Sequence, residues 1–122
     1  MNILRWEYAE RFDLLWPAIH PRYRRIVTRK FWLMCKHRQM DELHAKVRVL
    51  GVKATGSHAD EVVYPLLGRI RVETVTIQFR YHYLGRNYSV PTTVALTKVR
   101  GEWRTLWTVR EYRAYSRKRC FP

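Results

Sequence analysis

Five histidines and two cysteines are the side chains of this 122-residue chain best suited to proton transfer, metal ligation or nucleophilic attack. His20, His37, His44, His58 and His82 form no HExxH or other tight ligand pattern, and Cys35 and Cys120 have no CxxC partner, so no metal site is assigned. The two cysteines read as free thiols, because a disulfide would require the tail to fold back over the chain. His37 and Asp41 stand one helical turn apart, a spacing that allows a dyad, with an exposed surface pair as the simpler account. Among the acids, Glu73, Glu102 and Glu111 fall at an expected bulge, a turn and a strand end, which is a thin inventory for general acid–base chemistry. No phosphate-cradling glycine loop, dinucleotide fingerprint or nucleophile elbow is present. No catalytic residue and no cofactor is therefore assigned, and the chain reads as a binding protein rather than an enzyme.

Charge is the stronger signal. Twenty-four Lys and Arg face 10 Asp and Glu, a formal net charge of +14. Arginine dominates, which favours bidentate contact with phosphate or carboxylate. Arg22, Arg24, Arg25, Arg29 and Lys30 form one cluster beside Tyr23, Phe31 and Trp32; Arg110, Arg113, Arg117, Lys118 and Arg119 form another. These residues, Arg22, Arg24, Arg25, Arg29, Arg113 and Arg117 foremost, are the candidates for an anionic partner, an acidic protein or a nucleic acid. No helix-turn-helix, zinc-finger or ribonucleoprotein signature accompanies them.

The elements that position these groups follow from hydrophobic spacing. Leu4, Tyr8, Phe12 and Leu15 make a helical stripe over residues 3–15, and Pro17 and Pro21 in "WPAIHPRYRR" break it into an inter-helix turn. Trp16 stands directly before Pro17, which discourages continuation of the helix. Thr28 is placed to cap a short helix, "RKFWLMCKHR", after which "QMDEL" is a turn or last helical piece. "KVRVLGVKA" predicts a half-exposed strand, "ATGSHADE" a loop, and "VVYPLLGR" is ambiguous because Pro65 does not suit a central strand. Val75, Ile77, Phe79, Tyr81 and Tyr83 alternate along the next strand, with opposite parity at Ile70 and Val72 and so a bulge expected near Glu73. "LGRN" turns the chain into "YSVPTTVALTKV", and "RGE" into a last strand "WRTLWTVREYRAY", in which Trp103 and Trp107 share parity. The expectation is one α+β domain, residues 1–115, with helices packed on a strongly bent antiparallel sheet, then a basic, mobile tail at 116–122. No stretch has the ~20 apolar residues of a membrane span.

With these segments in place, the helix ending "FDLLWPAIHPRYRR", the second helix, the strand "KVRVLGVKA" and the closing hairpins resemble the nuclear transport factor 2-like, or SnoaL-like, superfamily with its cone-shaped fold. The resemblance implies a cone whose open end holds a small hydrophobic ligand and whose sheet serves as a homodimer surface. Trp32, Phe79, Tyr81, Trp103 and Trp107 are the rings that would line it. Because the superfamily includes isomerases and dehydratases, an isomerase- or hydratase-like activity is an alternative reading, with the nucleic-acid module as the other. The cytoplasm is the favoured location, with a piece of a larger exported or membrane-associated protein as the alternative setting.

Overall fold

The computed structural model describes residues 10–121. The part of the first helical stripe that includes Leu4 and Tyr8 lies outside the described residues. Helix α1, Phe12–Leu15, buries Phe12 and Leu15 and passes into a 3-10 turn, Trp16–Ala18, at Pro17. Ile19 then forms a parallel bridge with Thr105, so the breaker segment also reaches the sheet. His20 caps the single-turn helix α2, Pro21–Arg24, its Nδ1 accepting from Arg22 N–H at 3.2 Å. Pro21 suits that first turn, where its missing N–H has no intrahelical partner to lose.

Thr28 Oγ1 accepts from Phe31 N–H at 3.1 Å and opens α3, Arg29–Lys46. The helix runs 18 residues as one piece, longer than the ten-residue body expected, since no Gly or Pro interrupts it. Trp32 and Cys35 are its buried residues. Met34 is exposed.

Four strands follow in one antiparallel meander ordered β1-β2-β3-β4: Arg48–Tyr64, Gly68–Tyr83, Arg86–Val99 and Glu102–Thr105. The chain is thus α+β, as expected, with a helix-containing N-terminal region ahead of the sheet. "ATGSHADE", however, is no loop: it is the middle of β1, paired with β2 from Gly56↔Thr76 to Tyr64↔Gly68 without a slip. Its side chains are exposed, so both faces are polar and no alternation marks the strand; main-chain pairing with β2 holds it. The bulge also moves. Glu73 pairs regularly with Ala59 and Leu96, whereas β1 slips register between Val49 and Gly51 and between Ala54 and Gly56. The parity change in β2 has another origin: Val72 is buried on the face opposite Val75 and Ile77 and stands outside their core cluster. Successive stretches of β2 bury opposite faces.

"VVYPLLGR" resolves into the end of β1, a turn at 65–67 and the start of β2. Leu67 N–H donates to Tyr64 C=O at 3.2 Å, with Pro65 and then Leu66 at φ 65° in the centre. This is a type II arrangement that usually takes Gly where Leu66 stands.

The last expected strand is corrected as well. β4 ends at Thr105, and residues Val109–Ser116 form helix α4. Thr108 Oγ1 accepts from Glu111 N–H and Glu111 Oε1 accepts from Thr108 N–H, at 3.2 and 3.1 Å. This capping box starts a helix where Trp103 and Trp107 alone suggest a strand. Trp107 lies between β4 and α4, so the two tryptophans share no strand face.

The core joins all layers. Phe12 meets Trp32 edge-on, Trp107 lies between Tyr23 and Tyr115, and Val75, Ile77 and Leu96 supply the sheet side. The cysteines are not free: Cys35 and Cys120 form a disulfide with Cα atoms 5.2 Å apart across 85 residues of chain. The basic end is tied down further by Gln39 donating to Phe121 C=O and Lys118 Nζ donating to Ile26 C=O. Among the described residues, no helix is long and apolar enough to cross a membrane.

Candidate binding cleft and basic surface

A cleft of about 310 Å³ opens between the helices and the sheet. Its apolar wall is Leu15, Ile19, Trp32, Val94, Leu106 and Trp107. Four of them come from different constraints: Leu15 from the α1 stripe, Ile19 from its bridge to Thr105, Trp32 from the first turn of α3, and Trp107 from its stack on Tyr23. The polar wall is Thr74, Thr93, Thr105, Thr108, Tyr64, Lys36 and Glu111. Lys36 Nζ sits 5.6 Å from the Trp32 ring centroid, a cation–π arrangement that holds its charge beside an apolar surface.

The electrostatics suit hydrogen bonding rather than proton exchange. Burial, then the charges of Asp60 and Glu111, push the Tyr64 hydroxyl above the ordinary tyrosine value of 10.0. Tyr23, which donates its hydroxyl to Pro65 C=O at 2.8 Å, is raised further, first by burial and then by Tyr64, Tyr112 and Glu111. Both phenols stay neutral donors near neutral pH. Glu111 is held by its role in the capping box, which fixes its carboxylate at the cleft wall.

Of the five rings expected to line a pocket, Trp32 and Trp107 do so. Phe79 and Tyr81 belong to a separate ladder along the sheet, with Tyr81 stacked on Tyr88 at 5.3 Å and Phe79 5.7 Å from Tyr81. Trp103 lies under Lys98, 5.1 Å from its Nζ. The sequence does not single out Lys36, Tyr64 or Thr108, and it places Glu111 at a strand end rather than in the first turn of a helix. The Thr108-x-x-Glu111 signature was the one legible signal for two of these; the others meet only through tertiary packing.

The basic clusters converge. Tyr23 of α2 and Tyr112 of α4 have ring centroids 6.5 Å apart, and the Lys118 bond to Ile26 C=O joins the end of α4 to the segment after α2. Arg22, Arg25, Arg29, Arg113 and Arg117 are exposed, while Arg24 is half-buried, with its Nε shielded and lacking an acceptor. Among the described residues none of these six arginines has a carboxylate at ion-pair distance; the recorded pairs are Arg11–Asp13, His44–Glu10 and Arg104–Glu102. His20 lies in this positive field, its imidazole held below the ordinary 6.5 first by burial and then by Arg22, Arg24 and Arg104. His82, on the far hairpin, bonds Asn87 Oδ1 through Nδ1 at 2.7 Å. The described residues include no group of three or more His, Cys, Asp or Glu arranged to hold a metal ion.

No protein-family model, curated protein or solved structure matches this chain.

Proposed function

We propose that this domain is a noncatalytic binding module whose cleft takes a small amphiphilic molecule. One observation carries the reading: the indoles of Trp32 and Trp107 share a single opening with hydroxyl donors and with one cationic and one anionic side chain. A ligand would lay its apolar body on the indoles and direct its polar end to the threonines, Tyr64, Lys36 and Glu111. The resemblance to the nuclear transport factor 2-like superfamily supports this reading, because helices followed by a bent antiparallel sheet, with a ligand space between them, is the layout it implies. Filling the cleft tests the proposal. Val94→Trp, on the sheet face shared with Val75 and Leu96, places an indole in the opening, so small amphiphiles that quench or shift tryptophan emission in the parent protein should have no effect on this variant. Equal responses from both proteins would reject the cleft.

A second reading is assembly through the sheet, favoured by the ladder of Phe79, Tyr81 and Tyr88, where Tyr88 and neighbouring Val90 are exposed. Homodimerisation on this face would cover them. The disulfide bears on setting: a Cys35–Cys120 bond persists in an oxidising compartment. An exported location therefore replaces the cytoplasm as the proposed one.

A further inference from the structure

We propose that the β1–β2 hairpin tip, together with α2 and the start of α4, docks this protein onto an anionic lipid surface. Three aliphatic side chains project there: Val63, Leu66 and Val109 are 62%, 48% and 48% exposed. Leu66 carries the argument furthest. It occupies the left-handed region at φ 65°, where Gly or Asn would be easier, and points a leucine into solvent. Leu84 shares the positive φ and the exposure, so what singles out Leu66 is its setting, a turn bonded to α2 through Arg22 and flanked by Val63 and Arg69.

The tip is also held rigid. Tyr23 Oη donates to Pro65 C=O, and Arg22 Nη1 donates to Leu66 C=O at 2.6 Å, so α2 fixes both central residues of the turn. That second bond places a guanidinium directly beside the protruding leucine. Val63 pairs across the hairpin with Arg69, and exposed Arg25, Arg110 and Arg113 stand on the flanking elements. Glu61, the nearest acid on β1, sits opposite Arg71. Aliphatic tips ringed by arginines match a bilayer interface, where side chains enter the acyl boundary while cations meet lipid phosphates. A nucleic-acid backbone would use the arginines but gain nothing from Val63 and Leu66. The shape of the patch therefore selects lipid over nucleic acid.

The test is sedimentation of the oxidised protein with phosphatidylcholine vesicles, with and without phosphatidylglycerol at about one part in three, at low and at physiological salt. Binding should require phosphatidylglycerol and weaken with salt. Leu66→Asp should weaken it roughly tenfold or more, and Arg22→Glu with Arg69→Glu should abolish it. Leu84→Asp is the control, because Leu84 is 81% exposed at φ 48° on the β2–β3 turn, at the opposite end of β2. It should bind as the parent does, and circular dichroism should show all variants folded. The proposal is overturned if Leu66→Asp and Leu84→Asp behave alike, or if the parent ignores vesicles yet binds a single-stranded oligonucleotide through the same arginines.

Discussion

Tyr23 and Trp107 stack with their rings 5.2 Å apart and only 10° from parallel, although 84 positions separate them in the chain. This stack, with the Tyr23 bond to Pro65 C=O, couples α2, the loop before α4 and the β1–β2 turn. It holds one wall of the cleft and the arginine-ringed tip in a fixed relation. Tyr23→Phe should keep the stack and lose one partly buried hydrogen bond, costing about 1 kcal/mol. Tyr23→Ala should cost about 3–5 kcal/mol. Urea denaturation of both variants measures the difference.

The disulfide closes a loop of 85 residues. Removing that constraint should cost on the order of 4 kcal/mol by the chain-entropy estimate. Chemical denaturation of the oxidised protein against a Cys35→Ala, Cys120→Ala double variant checks this. Equal midpoints would contradict the chain-entropy account, in which the bond acts by restricting the unfolded chain.

Much of the layout can be read from residue types. Thr28 as a cap, the Pro17 and Pro21 breaks, and the turns at 84–85 and 100–101 follow from local chemistry that tertiary contacts do not override. Local pattern says less where burial is one-sided or absent. The β1 stretch "ATGSHADE" lies exposed on an edge strand and so lacks the alternation by which strands are recognised. Trp103 and Trp107 mimic strand spacing, and the Thr108 and Glu111 signature that overrules them is only two residues deep. The cleft was half legible: its indoles stand out as rings, but Lys36, Tyr64 and Glu111 come from α3, β1 and α4 and meet only in three dimensions. The disulfide was illegible for the same reason.

The capping box makes a separable prediction. Thr108→Ala removes the acceptor for Glu111 N–H and should destabilise the protein by about 1 kcal/mol. Glu111→Gln keeps a side-chain acceptor for Thr108 N–H and should be milder in thermal melts, while altering the charge presented to the cleft.

Protonation of His20 opposes folding twice over. Its folded pKa lies below the ordinary 6.5, so between the two values the unfolded chain binds more protons. Stability is therefore full above about 6.5 and declines as pH falls toward and through the folded value. Burial first, then the charges of Arg22, Arg24 and Arg104, disfavour the imidazolium, and a proton on Nδ1 would also remove the acceptor of Arg22 N–H. His20→Asn retains a capping oxygen without titrating. Melts between pH 7 and 5 should show a shallower loss of stability in this variant than in the parent.

The central claim, a ligand cleft between the helices and the sheet, is tested most directly by screening small amphiphiles with nuclear magnetic resonance and following the indole N–H signals of Trp32, Trp107 and Trp103. Bound compounds should shift Trp32 and Trp107 together and show nuclear Overhauser contacts to both, leaving Trp103 unmoved. Compounds that perturb Phe79, Tyr81 and Tyr88 while Trp32 and Trp107 stay unchanged would contradict the cleft and assign binding to the sheet face.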